Sequence, residues 1–269
     1  MSPVPLPQAN RFFAARDVFA RVLVGAENTS TSLQAAWQAR VLAGKHGSVA
    51  VIAVADVAAA AQAGAAAVHA AAQIRADAER ALERAVALSF PDTAAVVVGR
   101  SCETLLAQVA ATGATLLSVG AGPHRRMTGL LLGEVASRLL RHSPCSVLIA
   151  RECRSKSWPR RILAGIDGSP QSLDGAAVAA DLARSHGAEF TVITALRGKT
   201  IDVDRVRELH PQVLIDPRAP VDALVEEARD GDLVVVGSRG LHGGLGALGS
   251  VSERVAHRAG TSVLVLRPA

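Results

Sequence analysis

The sequence predicts an α/β protein of two tandem, doubly wound parallel-sheet domains. Three observations predict it. The chain repeats itself, its apolar runs are short and continuous, and helix-length segments separate most of those runs. The repeat shows first at the opening of each copy. RVLVGAENTSTS (Arg21 to Ser32) matches RILAGIDGSPQS (Arg161 to Ser172), each an apolar run, an acidic residue and a Ser/Thr-rich helix start. It shows again at the close, where SPCSVLIAR (Ser143 to Arg151) matches AGTSVLVLR (Ala259 to Arg267). Between them, TLLSVGAG and TGLLLGEVASRLL in the first copy match DLVVVGSRG and GALGSVSERVAHR in the second. Two copies of one supersecondary unit explain this better than chance.

Taken in order, the predicted strands of the first copy are Val22–Val24, Ser48–Ala55, Ala94–Val98, Thr115–Val119 and Ser146–Ala150. Those of the second are Ile162–Ile166, Phe190–Leu196, Val213–Ile215, Leu233–Val236 and Ser262–Leu266. Unbroken apolar runs without alternation belong to strands buried on both faces. Helical segments such as Ser172–Ser185 and Pro220–Arg229 lie between them, so each sheet should be parallel with crossover helices. Glu27 and Asp167 lie 140 residues apart but Ser146 and Ser262 only 116, so the first copy carries 24 extra residues. They fall in an Ala-rich helix between Asp56 and Phe90 that the second copy has mostly lost. The reading divides the chain into an extension (1–17), a first domain (18–151), a polar linker ECRSKSWP (152–159) and a second domain (160–269).

Composition narrows the function. With 269 residues, 49% of them hydrophobic, two cores are affordable, and 3% aromatic content means they are built of Ala, Val and Leu. A formal charge of +5 allows anionic ligands. Scattered Lys and Arg and the absence of Tyr argue against a stacking platform for nucleic acid. Cys102, Cys145 and Cys153 have neither CxxC spacing nor an even count, so disulfides and a zinc site are not expected. The N-terminus lacks a signal-peptide core, and the Ala-rich run from Val57 to Ala72 holds Gln62, Gly64 and His69. A cytoplasmic protein without a membrane span is expected.

In a doubly wound sheet, ligands bind beyond the carboxyl ends of the strands at the switch point. The stretch there in the second copy is VVVGSRGLHGGLGALGSVSERV (Val234 to Val255). Gly237 ends a strand and Gly240 permits a sharp turn. Gly243, Gly244, Gly246 and Gly249 leave backbone N–H groups open to an anion. Ser250 is expected to begin a helix, and Ser250-Val-Ser-Glu253 has capping-box spacing. A helix N-terminus with free N–H groups suits phosphate. Gly244 to Gly249 is formally GxGxxG, but it begins too far past the strand, and no acidic residue follows on the next strand, so the dinucleotide fingerprint is rejected. RGKT (Arg197 to Thr200) lacks the first P-loop glycine, since position 193 is Ile. No G-x-S-x-G, HExxH or paired catalytic carboxylates are present.

A strand, G-x-x-G, a loop, then G-[S/T]-V, a helix and a closing V-L-V strand resembles the universal stress protein family, over nearly all of residues 18–269. The resemblance implies two Rossmann-like domains of the adenine nucleotide alpha hydrolase type, paired through their last strands, Val147–Ile149 and Val263–Val265, as an internal pseudo-dimer. It implies ATP, with or without Mg²⁺, as the ligand. It assigns Asp167 to the adenosine, Ala195 to the base pocket, Gly237 and Gly240 to the motif's first glycines, and Gly249, Ser250 and Val251 to phosphate and ribose. Eight residues separate Gly240 from Gly249, where the family pattern has nine. Asp167 in DGSP also has an ordinary structural role open to it, at a turn where Ser169 caps a helix and Pro170 takes its first position.

The first copy should be silent. Pro123 stands where the second glycine belongs and removes a donor. Glu134 replaces Ser250 and would repel a phosphate while favouring its own helix dipole. Glu27 replaces Asp167, and Val54 falls where Ala195 stands. Arg125 and Arg126 read as a solvated basic loop.

The expectation is a stress-response regulatory module that binds ATP in its C-terminal half. No catalytic group is expected, and at most slow hydrolysis. Expected partners are an adenine nucleotide, an unidentified protein and a second tandem chain. Two other readings stay open: a nucleotide-free interaction protein with vestigial loops, and an ATP-pyrophosphatase-type enzyme, whose phosphate loop after the first strand DGSPQS does not supply.

Overall fold

The computed structural model describes residues 15–58, 60, 66–122, 125–126, 129–130, 132–153, 157–197, 203–238 and 248–268. The first half runs α1 (Ala15–Val18), β1 (Arg21–Ala26), α2 (Ser30–Ala43), β2 (Ser48–Ala55), α3 (Ala67–Ser89), β3 (Thr93–Val98), α4 (Ser101–Thr112) and β4 (Leu116–Gly120). A small two-stranded ribbon follows, β5 (Arg125–Arg126) with β6 (Gly129–Leu130), then α5 (Glu134–His142) and β7 (Ser146–Ala150). The second half repeats the plan: β8 (Arg161–Ile166), α6 (Pro170–His186), β9 (Glu189–Ala195), α7 (Val203–Leu209), β10 (Leu214–Asp216), α8 (Pro220–Glu227), β11 (Leu233–Gly237), α9 (Ser250–Arg258) and β12 (Ser262–Leu266).

All ten long strands join one sheet in the order β10-β9-β8-β11-β12-β7-β4-β1-β2-β3. Within each half every pairing of this sheet is parallel. At the centre β12 meets β7 antiparallel, with Val263 opposite Ile149, Leu264 opposite Leu148 and Val265 opposite Val147. The two halves are thus an internal pseudo-dimer through their last strands. The length difference lies where the sequence puts it: α3 has 23 residues and its counterpart α7 has 7.

Two strands depart from the expectation of burial on both faces. β3 is exposed at Thr93, Ala94, Ala95 and Val98, and β10 is exposed at Leu214. They are the outer edges of the sheet, where no neighbouring strand brings a second set of helices over them. An apolar run alone does not separate an edge strand from a central one.

The seam is held by a reciprocal exchange. Just past β7, the Arg151 amide donates to Ser262 Oγ at 3.0 Å and its guanidinium to the Ala256 carbonyl at 2.8 Å, near the end of α9. Just past β12, the Arg267 amide donates to Ser146 Oγ at 3.0 Å and its guanidinium to the Leu140 carbonyl at 2.6 Å, near the end of α5. Each half therefore supplies a cation to the negative end of the other half's last helix. Burial pulls the Arg151 guanidinium down to about 10, which leaves it charged at neutral pH. Gln38 breaks the pseudo-symmetry: it is fully buried, donates to the Arg151 carbonyl at 3.0 Å and accepts from Ser262 Oγ at 2.8 Å.

The segment read as a polar linker carries a buried anchor near its end. Trp158 is 4% exposed, its ring centroid lies 6.0 Å from that of Trp37, and its Nε1 donates to the Asp232 carbonyl at 3.1 Å. One large side chain was enough to pin a polar stretch to the first half's α2 and the loop before β11.

Burial holds the imidazoles of His186, His210 and His257 below the ordinary value of 6.5. The unfolded chain therefore takes up these protons first as pH falls, and stability must drop. The expected result is a thermal midpoint that holds above pH 6.5 and declines as pH falls from there through the lowered values of these three groups. His186→Asn/His210→Asn/His257→Asn should flatten that part of the profile.

Candidate functional site

The strands β9, β8 and β11 lie side by side, and all three end at the same edge. Between β8 and β11 the strand order reverses, because the chain runs outward to β10 before returning to β11. Ile166 pairs with Thr194, so Asp167 stands level with Ala195. Val235 pairs with Ala164, and Gly237 lies two residues further along. The structure thus brings Asp167, Ala195 and Gly237 to one crevice mouth. Gly249, Ser250 and Val251 join them, because the Gly249 amide donates to the Ser238 carbonyl at 2.6 Å. Gly240, with Gly243, Gly244 and Gly246, lies outside the described residues, as do Gly198 to Thr200 of the RGKT stretch.

Asp167 makes the turn the sequence allowed for. Its Oδ1 accepts from the Ser169 amide at 3.2 Å, and its own amide donates to Ser172 Oγ at 3.2 Å. Gly168 follows at φ +80°, a left-handed position that suits glycine. Ser169 then caps α6, accepting from the Ser172 amide, with Pro170 in its first turn. The turn fixes Asp167 at the mouth. Ala195 is buried at 6% exposure, a small side chain closing the end of β9.

The expected capping box at Ser250 does not form. Gly249 is the N-cap of α9, no side chain caps the helix, and Ser250 is its exposed first residue. Glycine at the cap has no oxygen to offer, so the first-turn amides keep no acceptor of their own. α6 and α2, by contrast, are both capped by hydroxyls, Ser169 and Thr29. Val251 turns inward and packs partly against the core beneath. Two further residues belong to this corner and were missed. Ser252 Oγ donates to the Gly237 carbonyl, tying the first turn of α9 to the end of β11. Asp216 stands opposite Ala195 at the end of β10, where the Arg218 guanidinium at 2.5 Å holds its carboxyl below the usual range. The matched residue in the first copy, Ala136, could have singled out Ser252.

The first half is built alike but furnished differently. Glu27 receives Thr29 Oγ1 at 3.1 Å, and its amide donates to Ser32 Oγ at 2.8 Å. Gly133 is the N-cap of α5 and Glu134 sits in its first turn, as expected. Val54 lies on β2, partly buried. Pro123 lies outside the described residues, and the side chains of Arg125 and Arg126 are not described. At Gly120 the end of β4 meets α2: an added Cβ would stand 2.6 Å from the Ser32 amide nitrogen and 2.8 Å from the Thr31 carbonyl carbon. Gly120→Ala should therefore destabilise the protein by about 1–3 kcal/mol, read as a lower urea midpoint at unchanged slope.

The universal stress protein family profile matches residues 19–151, 159–212 and 202–267, nearly the whole described chain. The chain belongs to the universal stress protein family. A universal stress protein of Mycobacterium tuberculosis (strain H37Rv) is 32% identical over 222 residues, covering 71% of this chain and 74% of its own. The crystal structure of a universal stress protein from Archaeoglobus fulgidus DSM 4304 superposes with a TM-score of 0.70 at 18% identity, over 93% of this chain and 99% of its own. That likeness shows the fold: a tandem Rossmann-like pair. A shorter universal stress protein, solved in complex with cAMP, matches 41% of this chain and 98% of its own at 32% identity, with a TM-score of 0.36. No helix among the described residues is long and apolar enough to cross a membrane.

Proposed function

We propose that this universal stress protein binds ATP in its second half and relays occupancy to a protein partner in a stress response. On this reading residues 18–151 and 160–269 are the two units, 152–159 join them, and the first is a structural partner. The observation that carries the reading is the contrast between two matched helix starts. α9 opens at the crevice mouth with a glycine cap and a neutral Ser250, whereas α5 opens with the carboxylate of Glu134. Uncapped amides and the positive end of the dipole favour an anion at α9, and Glu134 already supplies one at α5. Asp167 and Ala195, level with each other beside this helix, would face the nucleoside, and Gly237 with Gly249, Ser250 and Val251 the phosphates. Among the described residues no group of three metal-binding side chains occurs, so Mg²⁺ would arrive with the phosphates. Among the described residues no general base stands at the phosphate end, and binding, not turnover, is the activity proposed.

Thermal-shift titration with ATP, ADP, AMP and cAMP, with and without Mg²⁺, tests this. ATP at one hundred times its Kd should stabilise the protein by about 2.7 kcal/mol. Asp167→Ala should reduce the shift at equal ATP. A flat titration at millimolar nucleotide sinks the reading and leaves a nucleotide-free interaction protein. Release of ADP or pyrophosphate at enzymatic rates would favour catalysis instead.

A further inference from the structure

We propose that the Ser238 hydroxyl is a ligand contact, donating to a phosphate oxygen of the nucleotide bound by the second half. The proposal rests on the nucleotide reading above and adds a side-chain donor to the phosphate end, where the donors so far are the backbone amides of α9. Ser238 follows β11 directly. Its amide donates to the Leu266 carbonyl at 2.8 Å and its carbonyl accepts from the Gly249 amide at 2.6 Å. These bonds fix it between the end of β12 and the cap of α9. Side chains alternate along a strand, so Ser238 shares the face of Val234 and Val236, the face on which Val255 and Ala256 of α9 pack. Its side chain is therefore directed to the corner where α9 begins. There it is 1% exposed, and its Oγ has no hydrogen-bond partner. A buried hydroxyl without a partner is a cost that native structures rarely keep without a use.

The repeat supplies the comparison. The matched residue in the first half is Ala121, and it makes the same two backbone bonds: its amide to the Ala150 carbonyl at 3.0 Å, its carbonyl from the Gly133 amide at 2.9 Å. The corner folds without a hydroxyl. The half that keeps the glycine-rich loop and a neutral helix start carries one, and the half with Glu134 does not. Thr194, the other buried hydroxyl without a partner among the described residues, follows the same division: it neighbours Ala195 in the second half, and its match in the first is Ala53. The first half packs with alanine at both places, so neither hydroxyl is needed for the fold of its corner. For Ser238 the nearest chemistry is an anion on the first-turn amides of α9, to which a hydroxyl donates a charge-assisted bond.

The test is isothermal calorimetry of the full chain and of Ser238→Ala with ATP, ADP and adenosine, beside thermal melts without ligand. Ser238→Ala reproduces the first half's residue, so it should fold. The expected result is an ATP affinity about tenfold weaker, an unchanged adenosine affinity, and an unligated melting temperature equal to or above that of the parent. Equal ATP affinity in both proteins overturns the proposal. So does an equal loss for adenosine, or a lower unligated melting temperature, since either makes Ser238 a structural residue. A parent protein that gives no heat with ATP overturns the nucleotide reading itself, and this contact with it.

Discussion

Leu264→Ala should lower the unfolding free energy by about 2–5 kcal/mol and should do so for both halves at once. Leu264 is fully buried at the middle of β12, directly opposite Leu148 of β7. The two leucines belong to one apolar cluster with Leu116 from the first half and Ile162 from the second. Truncation removes apolar contact on both sides of the seam and leaves a cavity that tightly packed strands cannot close. Because the sheet runs unbroken across the seam, the first half cannot keep its own stability when the second loses support. The check is urea unfolding followed by tryptophan fluorescence and by far-ultraviolet circular dichroism. The two tryptophans, Trp37 on α2 and Trp158 before β8, lie against each other, so fluorescence reads the junction while dichroism reads the whole. The expected outcome is one transition, seen alike by both probes, at a lower midpoint. A biphasic curve whose upper phase matches the parent would mean that the halves are stable separately and that the seam contributes little.

Much of this fold was legible because it is written twice. Matched segments located the strands within a residue or two, and the pairing of Val147–Ile149 with Val263–Val265, which the structure shows to be antiparallel, followed from the resemblance those segments carry. Position within the sheet was not legible: Ala94–Val98 reads like Ser146–Ala150, yet one lies at an edge and the other at the centre. The reciprocal arginines were equally hidden. Arg151 and Arg267 end matched strands, but nothing local says that each reaches the other half's helix. At the site, Asp167, Ala195 and Gly237 lie at or just past the ends of parallel strands, as the topology requires, whereas Gly249, Ser250 and Val251 open α9 and their roles came from the resemblance. The capping role of Ser250 failed because S-x-x-E spacing names a cap without saying which residue holds the non-helical backbone. Gly249 takes that position with φ −68° and ψ 139°, and Ser250 begins the helix proper. The error favours the anion reading, because a glycine cap leaves the amides unclaimed.

Ser250→Glu separates ligand binding from folding most sharply, because the two effects have opposite signs. Ser250 is exposed at the first position of α9, so glutamate fits without displacing the core. In the unligated protein, a carboxylate in the first turn of a helix stabilises it by about 0.3–1 kcal/mol. The first half already carries that arrangement at Glu134. For a phosphate on the same amides the carboxylate is a like charge at close range. Two unit charges 4 Å apart repel by about 4 kcal/mol at an effective dielectric of 20, so even partial screening should weaken ATP more than about a hundredfold, which is 2.7 kcal/mol. The expected result is a melting temperature unchanged or slightly raised without ligand, and no shift at ATP concentrations that saturate the parent. Ser250→Gln has the same bulk without the charge, so it should keep most of the shift, and a deficit in Ser250→Glu that shrinks with added salt would identify repulsion as the cause. If Ser250→Glu binds ATP as the parent does, then the phosphates do not lie on the first turn of α9, and the contrast between Ser250 and Glu134 says nothing about which half takes the ligand.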